Sequence, residues 1–270
     1  MAARTTMVTV CGATDVGLVR DGNEDAFVVC DVAAGTPLTP TEPQSFPLLG
    51  GAGLLLVVCD GMGGAAAGEV AARLACQTVV HGLFEERAVV AGFAGAPALT
   101  SALRLANQVI LDEARRHADE RGMGTTCTAA LVLEDRLIVG QIGDSRAYLF
   151  RAGALHRLTK DQSLLTAMLE SGAISPAEVE TFPHPNVILQ ALGVQERVDP
   201  VTTEIELDPG DTILLCSDGL HGPVPEATIA GIVRETEHLS ACARKLVHAA
   251  LEAGGPDNVT VILARCDRAA

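Results

Sequence analysis

The apolar positions of this 270-residue chain follow two periods, one of strands and one of helices. From Leu54 to Cys59 six apolar residues run without a break and end in Asp60-Gly61-Met62-Gly63-Gly64. A short unbroken run of this kind reads as a strand buried on both faces. The glycines behind Asp60 leave backbone carbonyls and amides open to a ligand. An alanine-rich helix is predicted from near Ala66 to about Glu86, with Val70, Leu74, Val79 and Leu83 close to helical spacing. A second helix is predicted over Pro97–Glu120, with Leu103, Leu105, Val109 and Ile110 facing in.

Before this stretch, Val8–Thr14 and Ala26–Asp31 read as short strands around a polar loop, Asp15 to Asp25. Gly35 to Gly53, rich in Pro and Gly, reads as a hairpin connection. From Gly124 the period switches to β. Cys127–Leu133, Leu137–Ile142, Ala147–Arg151 and Leu155–Leu158 are predicted as an antiparallel meander. Asp161 to about Leu192 reads as an excursion with a helix at Ser163–Ser171 and prolines at 176, 183 and 185. Strands return at Val201–Leu207 and Thr212–Cys216, and the second ends in Ser217-Asp218-Gly219, repeating the grammar of Cys59-Asp60-Gly61. Helices at about Pro225–Glu235 and Leu239–Ala253 precede a last strand, Val259–Cys266. Antiparallel strand sets with helix pairs between them predict an α+β fold: two stacked antiparallel β-sheets, a β-sandwich, flanked by pairs of antiparallel helices.

Composition narrows the chemistry. The net charge of −15 repels nucleic acid and anionic membranes, so neither is an expected partner. A phosphorylated substrate is repelled too unless local cations reverse the sign. Eight cysteines show no zinc spacing, and several lie in apolar runs, which reads as buried reduced thiols in a cytoplasmic protein. Met1 to Val10 carries one Arg and no long apolar core, so no signal peptide is expected, and no run is long enough to span a bilayer.

Other site chemistries fail on their neighbours. Gly61-x-Gly63-x-x-Ala66 fits the looser dinucleotide fingerprint, but a second helix follows where a parallel strand is needed. An aspartyl nucleophile of the kind carrying a second Asp two places on meets Met62. Arg is absent where a Cys-x5-Arg loop needs it: Ala65, Leu133 and Gly222 follow Cys59, Cys127 and Cys216. What remains is a set of aspartates at strand ends or in Gly-containing turns, namely Asp60, Asp144, Asp218 and Asp257, together with Glu24-Asp25. One such Asp is most often a turn residue. Several in one chain predict convergence on a hard-cation site, Mg²⁺ or Mn²⁺ rather than zinc.

The ordered motifs Arg20…Asn23-Glu24-Asp25, Asp60-Gly61-Met62-Gly63-Gly64, Gly124-Thr125-Thr126, Gly143-Asp144-Ser145-Arg146, Cys216-Ser217-Asp218-Gly219 and Gly255…Asp257-Asn258…Thr260 run nearly end to end. In this the chain resembles the metal-dependent serine/threonine protein phosphatases of the 2C family, in their compact bacterial form. The resemblance implies one catalytic domain over 1–270 with a flap at about 161–192. It implies hydrolysis of phosphoserine and phosphothreonine in proteins by a water bridging two divalent metals, with a third, weaker metal site. Asp60 would bridge the two metals; the Gly61 carbonyl and Glu24 would serve one, and Asp218 and Asp257 the other. Asp144, with Asp218, would serve the third. Arg20 would grip the substrate phosphate, and Asp25 would stand behind the attacking water. The implied partners are phosphorylated proteins, substrates of a bacterial serine/threonine kinase, and the implied state is a monomer.

Three departures bear on this. Met62 stands where many eukaryotic members carry a His proposed as general acid. His221 is a weak substitute candidate. Gln162 replaces the His of Asp-His-Ser at the flap entrance, and Gln190 stands where Arg is usual before Ala-Leu-Gly. The rival readings are a catalytically silent interaction domain and a two-metal hydrolase of small phosphometabolites.

Overall fold

A computed structural model of the chain describes residues 6–48, 53–63, 67–89, 95–184 and 186–268, without the side chains of 86–89, 118 and 180. In chain order its elements are β1 (Thr6–Asp15), β2 (Asp25–Asp31), β3 (Thr36–Leu38), β4 (Gln44–Leu48), β5 (Leu54–Met62), α1 (Ala67–Val89), α2 (Gly95–Arg116), β6 (Gly124–Thr125), β7 (Cys127–Val132), β8 (Arg136–Ile142), β9 (Arg146–Arg151), β10 (Ala154–Arg157), α3 (Leu164–Glu170), β11 (Val201–Glu206), β12 (Thr212–Cys216), α4 (Asp218–His221), α5 (Glu226–Glu235), α6 (Leu239–Glu252) and β13 (Val259–Arg268). Gly64, Ala66 and Pro185, each singled out from the sequence, lie outside the described residues.

Two antiparallel sheets stack. One runs β10-β9-β12-β13-β1-β4; the other runs β11-β8-β7-β5-β2-β3, with β6 paired to β5. Alternation along β5 explains its unbroken hydrophobicity. Leu54, Leu56 and Val58 point into the sandwich, where Val8, Val10, Ile213 and Ile262 meet them from the other sheet. Leu55, Val57 and Cys59 point outward beneath α1 and α2, against Ala71, Ala75, Leu99 and Leu103. A third cluster packs α4, α5 and α6 on the outer face of the first sheet through Leu214, Leu220, Leu246 and Leu263. Both faces of both central strands are therefore dry, and Asp60 is carried to the edge of an apolar wall.

Three sequence expectations need correction. Gly35–Gly53 is not just a connection: it contains β3, paired with β2, and β4, paired with β1. Short edge strands with Pro37 and Pro47 in them carry too little apolar alternation to announce themselves. The β7–β10 run is not one meander. β7 and β8 pair in one sheet, β9 and β10 in the other, and the chain changes sheet at Gly143-Asp144-Ser145. The second helix ends at Arg116, and Ala118–Glu120 is a separate 3₁₀ turn. In the excursion after Asp161, Ser163 caps α3 by accepting from the Thr166 amide at 3.2 Å.

Candidate metal centre

The aspartates arrive at one end of the sandwich because the antiparallel strands alternate direction there. β5 carries Asp60 in its last three residues, Asp60–Met62; β12 ends beside Asp218, β13 begins after Asp257, β2 begins at Asp25, and Asp144 sits where the chain passes from β8 to β9. Arg20, Glu24, Asp60, Gly61, Asp144, Asp218 and Asp257 all line one cleft of about 480 Å³. Asp25 does not line it but stands directly opposite Asp60 in the β2–β5 register.

Main-chain groups, hydroxyls and one amide side chain position several of the acids. The Asp60 amide donates to Thr126 Oγ1 at 3.0 Å, while its carbonyl accepts from the Thr126 amide at 2.9 Å and from Thr125 Oγ1 at 2.9 Å. Asp25 Oδ2 accepts from Ser217 Oγ at 2.7 Å, and that oxygen in turn accepts from the Thr260 amide at 3.0 Å. This chain of bonds ties the two sheets together at the cleft. Asn258 is saturated: Oδ1 accepts from the Glu24 amide at 2.7 Å, and Nδ2 donates to Val16 O at 2.8 Å and Gly22 O at 2.9 Å. Glu24 lies against the first turn of α1. A Cβ on Gly68 would stand 2.5 Å from Glu24 Oε2 and 2.9 Å from the Gly61 carbonyl carbon, so any larger residue would displace the Glu24 carboxylate and press on the Gly61 main chain. Arg20 Nη2 donates to Asp257 Oδ2 at 2.6 Å and is itself half exposed at the rim. Thr126, Ser217 and Asn258 carried no assigned role from the sequence. The available signal was polarity at the tips of otherwise apolar strands.

The electrostatics are those of too much negative charge in a dry place. Burial, then the charges of Asp25, Asp218 and Asp144, hold the Asp60 carboxyl well above the usual range. Burial, against hydrogen bonds from Thr260 and Ser217, pushes Asp25 up to about 7. Burial, then Asp218, brings Asp144 to about 7. Asp218 is raised chiefly by burial and then by Asp257, and Glu24 by burial. Asp25 Oδ1 and Asp218 Oδ1 are buried with no partner among the described residues. Unpartnered buried carboxylate oxygens call for a cation. The donors are all hard oxygens, which suits Mg²⁺ or Mn²⁺. Among the described residues no three His, Cys, Asp or Glu side chains stand as a finished metal cage. Asp257 is engaged by Arg20 instead. His221, half-buried, does not line the cleft; its Nε2 lies 3.0 Å from the Asp144 carbonyl, and burial lowers it to about 4, which disfavours it as a proton donor there.

A sequence model of protein phosphatase 2C matches residues 48–253. The chain belongs to the protein phosphatase 2C family. It is 38% identical over 264 residues to the serine/threonine protein phosphatase PstP of Mycobacterium tuberculosis, covering 98% of this chain and 46% of that protein. The chain thus spans about half the length of that relative. Against the serine/threonine phosphatase stp of Listeria monocytogenes it is 33% identical over 254 residues, 94% of either chain. The solved catalytic domain of PstP in complex with two manganese ions superposes with a TM-score of 0.77 at 35% identity, covering 97% of this chain and 99% of that one. The protein phosphatase 2C fold, two antiparallel sheets between helix layers, is the one described above.

Proposed function

We propose that this protein is a metal-dependent phosphatase that hydrolyses phosphoserine and phosphothreonine in proteins phosphorylated by a bacterial serine/threonine kinase. The observation that carries this is the convergence of Asp60, Asp144, Asp218 and Asp257 from remote positions on one cleft that also presents Arg20. Asp60 with the Gly61 carbonyl and Glu24 would hold one divalent ion, and Asp60 with Asp218 and Asp257 a second. Asp144 with Asp218 would hold a third, weaker one. When bound, the ions supply a water acidic enough to attack phosphorus near neutral pH, and charge to offset that of the phosphate. Arg20, at the rim, is placed to exchange its Asp257 partner for a phosphate, a bidentate guanidinium acceptor. Asp25, behind the cleft wall opposite Asp60 and with Oδ1 unpartnered among the described residues, would stand behind the attacking water and orient it. Residues 1–270 are taken as one catalytic unit acting as a monomer. Eight buried free cysteines support a cytoplasmic place of work, and no described helix is long and apolar enough to cross a membrane.

The test is Mn²⁺-dependent hydrolysis of an aryl phosphate and of phosphopeptides by the purified chain. Asp218→Asn is expected to lower turnover roughly a thousandfold with the fold retained. Asp144→Asn is expected to lower it only about tenfold. Near-normal turnover in Asp218→Asn, or none by the well-folded parent at any metal concentration, overturns the reading.

A further inference from the structure

Three aliphatic side chains stand out of the loop that carries Arg20. Leu18 and Val19 are each 67% exposed and Val16 is 37% exposed. Single exposed aliphatics need no explanation, but three within four positions beside a reaction cleft do. The loop is also firmly held. The Leu18 amide donates to Gly255 O at 2.8 Å, the Gly17 amide to Asp15 Oδ1 at 2.9 Å, and Asn258 grips Val16 O and Gly22 O. Gly17 is left-handed with φ +79°, and a Cβ there would stand 2.9 Å from Gly255 O. Leu18 covers Gly255 so closely that a Cβ on that glycine would lie 2.9 Å from Leu18 Cγ. A rigid surface binds without losing the entropy of a mobile one.

The shelf meets the cleft at Val19. Val19 lines it alongside Arg20, and Ile188 faces it from the excursion after Asp161. The flanking Val187 and Leu189 are 43% and 45% exposed. Arg20 is the one basic residue lining the cleft among those described, against Asp21, Glu24 and the aspartates. Asp21 lines the cleft next to Arg20 and holds no metal in this reading, so a substrate carboxylate beside the phosphoresidue would meet it without a partner.

Resting on the phosphatase reading, we infer that the Val16–Leu18–Val19 shelf selects substrates with an aliphatic side chain next to the phosphoresidue and selects against an acidic one. An extended chain advances about 3.3 Å per residue, so with a phosphate at Arg20 the near neighbours of the phosphoresidue are the ones within reach of Val19, the adjoining position on the cleft wall, and of Leu18 beyond it. The occupant is the phosphoprotein's own segment, and its contact is apolar, with Arg20 addressing the phosphate.

The experiment compares kcat/KM on matched phosphothreonine peptides with Val, Ser or Glu beside the phosphoresidue, using Mn²⁺-loaded parent, Leu18→Ser and Leu18→Met. The parent is expected to prefer Val over Ser by about tenfold and Ser over Glu. Leu18→Ser is expected to erase the Val preference chiefly through KM, and Leu18→Met to restore it. Because Leu18 is exposed, melting temperatures should agree, separating recognition from folding. Equal rates on the three peptides by an active parent, or a Val preference unchanged in Leu18→Ser, overturns the shelf while leaving the phosphatase reading intact. Absence of turnover on peptides and aryl phosphate alike overturns both.

Discussion

Single residues at the cleft do two opposed kinds of work. Asp60 and Asp25 face each other across the β2–β5 pair, like charges directly opposed in a dry sheet end. Asp60→Asn should therefore remove activity while raising the metal-free melting temperature, by about 2–4 °C. A calorimetric scan in chelator checks it, and a fall in melting temperature would contradict the charge-repulsion account. Asn258 works the other way. It is buried and makes three side-chain bonds that fix the Arg20 loop and the Glu24 backbone. Asn258→Ala should lower unfolding free energy by about 2–3 kcal/mol, since buried backbone groups lose their partners. Denaturant titration measures this, and KM for phosphopeptide should rise with it. Neither role could be read from the chain alone: Asn258 in a Gly-Pro-Asp-Asn run looks like a turn residue until its partners, more than two hundred positions away, are known.

At the scale of elements, the segment after Asp161 is pinned at its base rather than packed along its length. Arg146 Nε and Nη2 reach Asp161 Oδ1 and Oδ2 at 2.9 and 2.5 Å, and the side chains are only 16% and 12% exposed. Gln162 adds two bonds to the Gly143 turn: its amide donates to Gly143 O at 3.0 Å, and its Oε1 accepts from the Gly143 amide at 2.8 Å. The helix α3 has no buried residue of its own. Arg146→Met should leave the buried Asp161 carboxylate with only the longer contact to Arg157 Nη1 at 3.7 Å, a loss of up to about 3 kcal/mol. Replacing both partners, Arg146→Met with Asp161→Leu, should recover most of that. Limited proteolysis within 164–184 should quicken in the single variant and slow again in the double one. The departure from the family pattern at Gln162 thus has a structural use here, because its side-chain oxygen accepts from the Gly143 amide, while its Nε2 is buried with no partner among the described residues.

For the whole molecule the carboxylate cluster sets a pH dependence. Asp25 and Asp144 are raised to about 7 in the folded protein from an ordinary value of about 4. The folded state then holds more protons than the unfolded one in that interval. The contribution of these groups to metal-free stability is full below about pH 4 and is lost as pH rises through about 7. Divalent cations take the ionised carboxylates, so the stabilisation by Mn²⁺ should grow between about pH 5 and about pH 8, with protons released on binding. Melting curves with and without Mn²⁺ across that range test it; a constant increment would contradict it. The sequence by itself determined the architecture and the acids. Hydrophobic period, strand-end aspartates and ordered motifs are local, and burial on both faces leaves its mark on every residue of β5 from Leu54 to Cys59. Only the tertiary structure decided where β3 and β4 pair, that the chain changes sheet at Gly143, and that Ser217, Thr126 and Asn258 hold the acids in place. Those facts are partnerships between distant residues, and hydrogen bonds of this reach write no period into the chain.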